Sequence, residues 1–153
     1  MASGGAIIGD RLMKALSGFH LWVIRVTRGR LGWRLAGMTT VEVHMIGRRT
    51  GQPRTVILSA PIVERGRVVL VASKGGADHH PAWYLNLVAH PDVVIDLREE
   101  RRAVRARTAT SEEKAELWPR ITAVYPGYAR YQARTRRDIP VVICETRSGP
   151  PGP

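Results

Sequence analysis

Four short segments carry the residue types that could do chemistry. The first, residues 47–54 (GRRTGQPR), sets two Gly and one Pro among three Arg. That composition makes a turn, and the turn presents Arg48, Arg49 and Arg54 beside the hydroxyl of Thr50. A planar guanidinium matches carboxylate or phosphate with a two-pronged fork. Backbone N–H groups in such a turn can also form an anion nest. The same residues read equally as a solvated basic hairpin. The second, residues 73–76 (SKGG), follows an apolar run. It offers the Ser73 hydroxyl, the Lys74 ammonium and a backbone that a ligand can approach closely, because Gly has no Cβ. Its plain alternative is a loop. The third, residues 81–87 (PAWYLNL), opens a helix. A helix N-terminus favours anions, and Trp83 supplies a flat apolar wall or a core ring.

The fourth segment, residues 118–131 (WPRITAVYPGYARY), holds three of the four Tyr. On a helix, Tyr125, Tyr128 and Tyr131 would span ~120° and stack on one side. An apolar wall with phenol tips suits an aromatic substrate that needs a hydrogen bond or a proton. A Tyr-rich packing face is the alternative.

Other chemistry is missing from the sequence. It has no G-x-x-x-x-G-K-[ST], no G-x-S-x-G, no H-E-x-x-H and no G-x-G-x-x-G. His79, His80 and His90 lack the further ligands that a metal ion needs, so no metal is expected. Glu99, Glu100, Glu112 and Glu113 read as solvated charges. With no evident nucleophile or acid–base pair, an enzyme of this sequence would take its hard step from a cofactor.

The charge balance points the same way. Lys+Arg number 24 against 13 Asp+Glu, a formal net charge of +11, and 21 of the 24 cations are Arg. The expected ligand is anionic: nucleic acid, anionic lipid, or a phosphorylated or carboxylated small molecule. A GC-rich genome produces the same Arg excess. The chain has 153 residues, 44% of them hydrophobic, which fits one folded domain with arms. Cys144 is alone, so no intrachain disulfide is possible. Residues 1–9 lack the charged start and apolar stretch of a secretory signal. The expectation is a cytoplasmic protein, soluble or attached to a membrane surface.

These segments need elements to position them. Residues 10–30 read as an amphipathic helix, with Leu12, Leu16, Phe19, Val23 and Val26 inside an ~80° arc. That helix would pack on the domain or lie on an anionic membrane. Val41, Val43 and Met45 alternate with Glu42 and His44, the period of a strand. Residues 55–63 predict a second strand with Pro61 at an edge or bulge, and 68–72 a third. A short helix over 81–89, strands over 93–97 and 103–108, and a helix from the capping-box sequence at Thr110 to Val124 follow. A further helix over 128–135 and a last strand over 141–145 complete the order. Hairpin-connected strands of this length predict a mainly β, α+β fold whose antiparallel sheet closes into a small barrel.

Taken together, GRRTGQPR, VASKGGADHHPAWYLNL and LWPRITAVYPGYARYQ resemble the deazaflavin-dependent nitroreductase family of actinobacteria. The resemblance runs from about Thr39 to Glu145. It implies a split β-barrel over residues 38–147, an N-terminal arm and helix over 1–37, and a disordered tail over 148–153. Members bind coenzyme F420, a tricyclic deazaflavin with a phosphate and an oligoglutamate tail. Its reduced form gives a hydride to nitroimidazoles, quinones or other activated unsaturated compounds. Carried over, Arg48, Arg49, Thr50, Arg54 and Lys74 would hold phosphate and tail. Thr55, Leu58, Ser59, Ala72, Ser73, Trp83 and Asn86 would flank the ring and its side chain. Tyr125, Tyr128 and Tyr131 match tyrosines over the substrate pocket, with Ser73 orienting substrate. Some relatives have Tyr at the position of Ser59, so one wall of the pocket would be more open here.

The implied partner is a small hydride acceptor, with peripheral membrane contact through the N-terminal helix as an added expectation. Two rivals share these features. Split barrels also hold FMN, and a basic nucleic-acid-binding module would use the same charge. The Arg residues gather in loops by a Gly-rich turn and not on a reading helix, which argues against nucleic acid.

Overall fold

The computed structural model describes residues 34–148 apart from Ala36. The expected N-terminal helix and residues 149–153 of the tail lie outside the described residues. The element order is β1 (Arg34–Leu35), β2 (Met38–Ile46), β3 (Pro53–Ala60), β4 (Ile62–Val63), β5 (Arg67–Val71), α1 (Ala82–Ala89), β6 (Asp92–Leu97), β7 (Glu100–Thr108), α2 (Ser111–Val124), α3 (Gly127–Arg134) and β8 (Val141–Thr146). All strand pairs are antiparallel, in the order β1-β2-β6-β7-β8-β5-β4, with β3 also paired to β2.

Pro61 explains how this sheet curls shut. The stretch read as one strand over 55–63 is two strands with different partners. β3 pairs with β2 up to Thr39↔Ala60. Pro61 offers no N–H to a ladder, and the chain then joins β5 through Ile62↔Val69. One continuous segment thus bonds to strands from both ends of the sheet and draws them together. The result is the expected split β-barrel with helices on its outside.

Alternation fills two cores. Val41, Val43 and Met45 of β2 face the barrel interior with Val68 and Leu70 of β5 and Val142 and Cys144 of β8. The intervening residues Val69, Val71, Val141 and Ile143 face the other way, onto Leu117 and Ile121 of α2 and Tyr128 of α3. β5 and β8 are therefore apolar on both faces, which is why their sequences run as unbroken aliphatic stretches. The capping box forms as predicted: Thr110 Oγ1 accepts from the Glu113 N–H at 3.2 Å, and Glu113 Oε2 accepts from the Thr110 N–H at 2.9 Å. Helix α2 continues through Pro119. Helix α1 packs on β2 and β7 and sends Leu87 into the barrel core.

Candidate functional site

The basic turn follows β2 directly. The Gly51 N–H donates to the Gly47 carbonyl, and the Gly47 N–H to the Gln52 carbonyl, both at 2.8 Å. Thr50 Oγ1 accepts from the Gln52 N–H at 3.3 Å. A Cβ on Gly47 would sit 2.9 Å from Thr50 Oγ1 and 3.4 Å from Arg54 Nε, so any other residue would push these side chains from their places over the turn. The turn is fastened to α1. The backbone N–H and Nη1 of Arg48 both donate to Oδ1 of the buried Asn86. Asn86 in turn donates to the sulfur of Met45 at 3.7 Å.

The glycine loop runs from the end of β5 into α1. Ser73 is right-handed (φ −75°, ψ −37°), whereas Lys74 and Gly75 are left-handed at φ 44° and 65°. A right-handed residue followed by a left-handed one turns successive N–H groups to one side, which is the conformation of an anion nest. The turn closes through Gly76 N–H to Ser73 O at 2.9 Å and Ala77 N–H to Lys74 O at 3.2 Å. Gly76 (φ 83°) lies so close to α3 that a Cβ would meet the Tyr131 carbonyl at 2.6 Å. Lys74 Nζ lies 2.6 Å from His79 Nε2.

The tyrosines converge, but not on one helix. Tyr125 caps α2, and Pro126 separates it from α3. Its ring folds back over Gly127, where a Cβ would lie 2.2 Å from Tyr125 Cε1. The ring centroids of Tyr125, Tyr128 and Tyr131 stand 5.3–6.2 Å apart. The hydroxyls divide into two settings. Those of Tyr125 and Tyr131 share a hydrogen bond at 3.2 Å, whereas that of the buried Tyr128 donates to the sulfur of Met38 at 3.5 Å. Burial, and then the neighbouring phenols, push the Tyr128 pKa well above the ordinary range, so it stays protonated.

The remaining expected residues split between two faces. Leu58 packs against the barrel core. Thr55 and Ser59 alternate with it on the opposite face of β3, where Thr55 Oγ1 meets His44 Nδ1 at 3.1 Å. Ala72 is fully buried. Trp83 packs on the barrel core and stands edge-on to Tyr84. The turn, α1, the loop and the tyrosine corner thus form one chain of contacts, although no hydrogen bond joins Lys74 to the basic turn.

The cations divide into paired and unpaired groups. Arg101, Arg102, Arg105 and Arg107 of the β6–β7 hairpin pair with Asp96, Glu100, Asp92 and Glu113. Arg67 and Arg120 share Glu64. Among the described residues, no carboxylate lies within ion-pair reach of Arg48, Arg49, Arg54 or Lys74. Arg65, Arg98, Arg130, Arg134 and Arg136 likewise have no carboxylate in ion-pair reach among the described residues; the turn and the loop differ from them in joining their cations to backbone that curls into a turn.

Sequence reasoning missed Arg137. Its guanidinium donates to the carbonyls of Ala72, Ser73 and Ala77 at the base of the glycine loop. As one Arg among 21, in a stretch between helix and strand, it carried no local signal. The reading also missed a pocket of about 170 Å³ between α1 and the β7–β8 side of the barrel, lined by Tyr84, Val88, Ala106 and Thr108 among others. None of the expected site residues lines it.

Comparison with known proteins identifies the family. The model of the F420H(2)-dependent quinone reductase family matches residues 17–146. The chain belongs to that family. The F420H(2)-dependent quinone reductase Rv1261c of Mycobacterium tuberculosis (strain ATCC 25618 / H37Rv) is 37% identical over 144 residues, covering 92% of this chain and 93% of the relative. A putative F420H(2)-dependent quinone reductase of the same strain, Rv3178, is 43% identical over 86 residues, 56% of this chain and 72% of its own. Among solved structures, F420-H2 dependent reductase FDR-A superposes with TM-score 0.63 at 37% identity, over 69% of this chain and 93% of its own. A domain-swapped dimer superposes with TM-score 0.65 at 30% identity, over 94% and 100%.

Coenzyme F420 is the cofactor of the F420H(2)-dependent quinone reductases, and the donors here fit it. Unpaired guanidinium and ammonium groups suit its phosphate and carboxylates. The N–H groups of Ser73 and Lys74, which have no acceptor among the described residues, suit one anionic oxygen more. Among the described residues no helix is long and apolar enough to cross a membrane.

Proposed function

We propose that this chain is an F420H2-dependent reductase whose acceptor is a quinone. Nitroaromatic and α,β-unsaturated compounds are the further acceptor classes to be compared. The observation that carries the reading is the set of uncompensated cations on the basic turn and the glycine loop, two segments joined through α1 by the Arg48–Asn86 contact. When bound, reduced F420 supplies a hydride to an electron-poor acceptor. Arg48, Arg49, Arg54, Thr50 and Lys74 bind the phosphate and tail through charge-assisted hydrogen bonds. Trp83 offers an apolar wall for the ring.

The acceptor's oxygen needs a proton as the hydride arrives. The hydrogen-bonded hydroxyls of Tyr125 and Tyr131 are half-buried and can orient that oxygen and pass it a proton drawn from solvent. Tyr128, with Ser73, is a second candidate for this role. Its buried hydroxyl must leave the Met38 sulfur to serve.

The test is a binding titration with F420, FMN and NADPH, followed by steady-state oxidation of reduced F420 with a quinone, a nitroimidazole and an enone. Preference for F420 and turnover with the quinone is the expected result. Tight FMN binding without F420 binding would sink the assignment.

A further inference from the structure

Residues 135–140, between α3 and β8, form a strap across the glycine loop. Thr135 Oγ1 donates to Asp78 Oδ1 at 2.9 Å. Two residues on, Arg137 donates from Nε to Ala77 O at 2.7 Å, from Nη2 to Ser73 O at 2.9 Å, and from both Nη atoms to Ala72 O at 3.2 Å. The strap is itself anchored. Gln132 donates to the Arg137 carbonyl at 2.8 Å and accepts from the Ile139 N–H at 2.9 Å. Lys114 donates to the Ile139 carbonyl at 2.7 Å and to Gln132 Oε1 at 3.2 Å, and it also reaches Asp138. The guanidinium therefore sits at a fixed place, bonded to carbonyls and His80, with Asp78 near but outside ion-pair distance.

A trans peptide carries its carbonyl and the next residue's N–H on opposite sides, and the described chain has no cis peptide. Holding the carbonyls of Ala72 and Ser73 on one side therefore turns the N–H groups of Ser73 and Lys74 to the other. We infer that Arg137 is a positioning residue of the cofactor site, orienting the Ser73 and Lys74 N–H groups toward an anionic group of the cofactor without touching it. The inference rests on the F420 reading for the identity of that anion. The orientation of the loop rests on this geometry alone. The left-handed φ of Lys74 is costly for a side chain with Cβ, so the loop needs such a clasp to stay in this form. His80 Nδ1, 3.2 Å from Arg137 Nη1, completes the clasp as an acceptor.

Two measurements on Arg137→Ala and Arg137→Lys decide the matter. In the ligand-free protein, amide exchange at Gly76 and Ala77, whose N–H groups close the loop, should quicken in Arg137→Ala and recover in part in Arg137→Lys. In a titration with F420, Arg137→Ala should bind roughly tenfold more weakly. Its salt dependence should match the wild type's, because the lost charge was not on the ligand. Guanidinium ion, against sodium at equal ionic strength, should restore binding to Arg137→Ala. Unchanged loop exchange in Arg137→Ala overturns the inference, and so does a shallower salt dependence, which would put Arg137 on the ligand. If the Ala variant does not fold, Arg137→Gln, which loses the guanidinium fork, takes its place under the same criteria. A wild type that ignores F420 sinks the cofactor reading, and loop exchange still decides the clasp.

Discussion

One oxygen of Asn86 accepts both the backbone N–H of Arg48, at 3.1 Å, and its guanidinium, at 3.3 Å. A buried amide on a short helix thereby fixes the basic turn without neutralising it. Asn86→Asp keeps the shape and adds a negative charge beside Arg48. We expect F420 affinity to fall by roughly tenfold, with a shallower salt dependence, because one cation is now compensated internally. Fluorescence titration over a range of NaCl concentrations measures both.

Direct ligand contacts should behave differently from ion pairs elsewhere. Arg54→Ala and Lys74→Ala each remove an uncompensated cation, and each should weaken F420 binding and flatten its salt dependence. Arg105→Ala breaks an exposed pair with Asp92, worth little, and should leave both unchanged. Equal effects from all three would show a diffuse charge requirement and not a site.

The two settings of the phenols can be separated kinetically. Tyr131→Phe breaks the hydroxyl pair with Tyr125 and should lower kcat on the order of a hundredfold with cofactor affinity kept. Tyr128→Phe loses only a weak contact to sulfur and should cost far less. A larger kcat loss in Tyr128→Phe would make the buried phenol the working one.

Acid should weaken the fold modestly through two partly exposed carboxylates. Glu64 is held near a pKa of about 2 by hydrogen bonds from Arg67 and Arg120. Glu113 is held at about 2 by Arg107 and the Thr110 cap. Both lie below the ordinary value of 4.5. In that window the unfolded chain binds protons first, so stability present above pH 4.5 drains away as pH falls toward 2. Urea midpoints across this range should drop less steeply in Glu64→Gln and Glu113→Gln.

Cys144 lies inside the barrel, and burial pushes its thiol up to about 12. A thiol so protonated and enclosed is inert. It should resist a disulfide reagent in native buffer and react once denaturant opens the barrel. Fast native labelling would mean that the barrel opens readily.

Where the sequence could be read, the signal was local. The alternation around Val43 and the capping box at Thr110 each specify an element within a few residues, and both elements formed. Pro61 was legible as an interruption, but its change of partner from β2 to β5 depends on where β5 lies. Likewise the tyrosines announced a cluster, but Pro126 and Gly127 build it from two helices. Arg48 was expected to face a ligand, and its bond to Asn86 could not be seen across a separation of 38 positions. Arg137 acts on backbone carbonyls, which leave no trace in side-chain types.

The place of β8 bears on how the chain is assembled. Val141–Thr146 is inserted between β5 and β7, in the middle of the ordered sheet. Its partner in β5 was made some seventy residues earlier, as the Val71↔Val141 register shows. Until this strand leaves the ribosome, β5 and β7 keep open backbone edges, the kind of surface on which nascent chains pair wrongly with their neighbours.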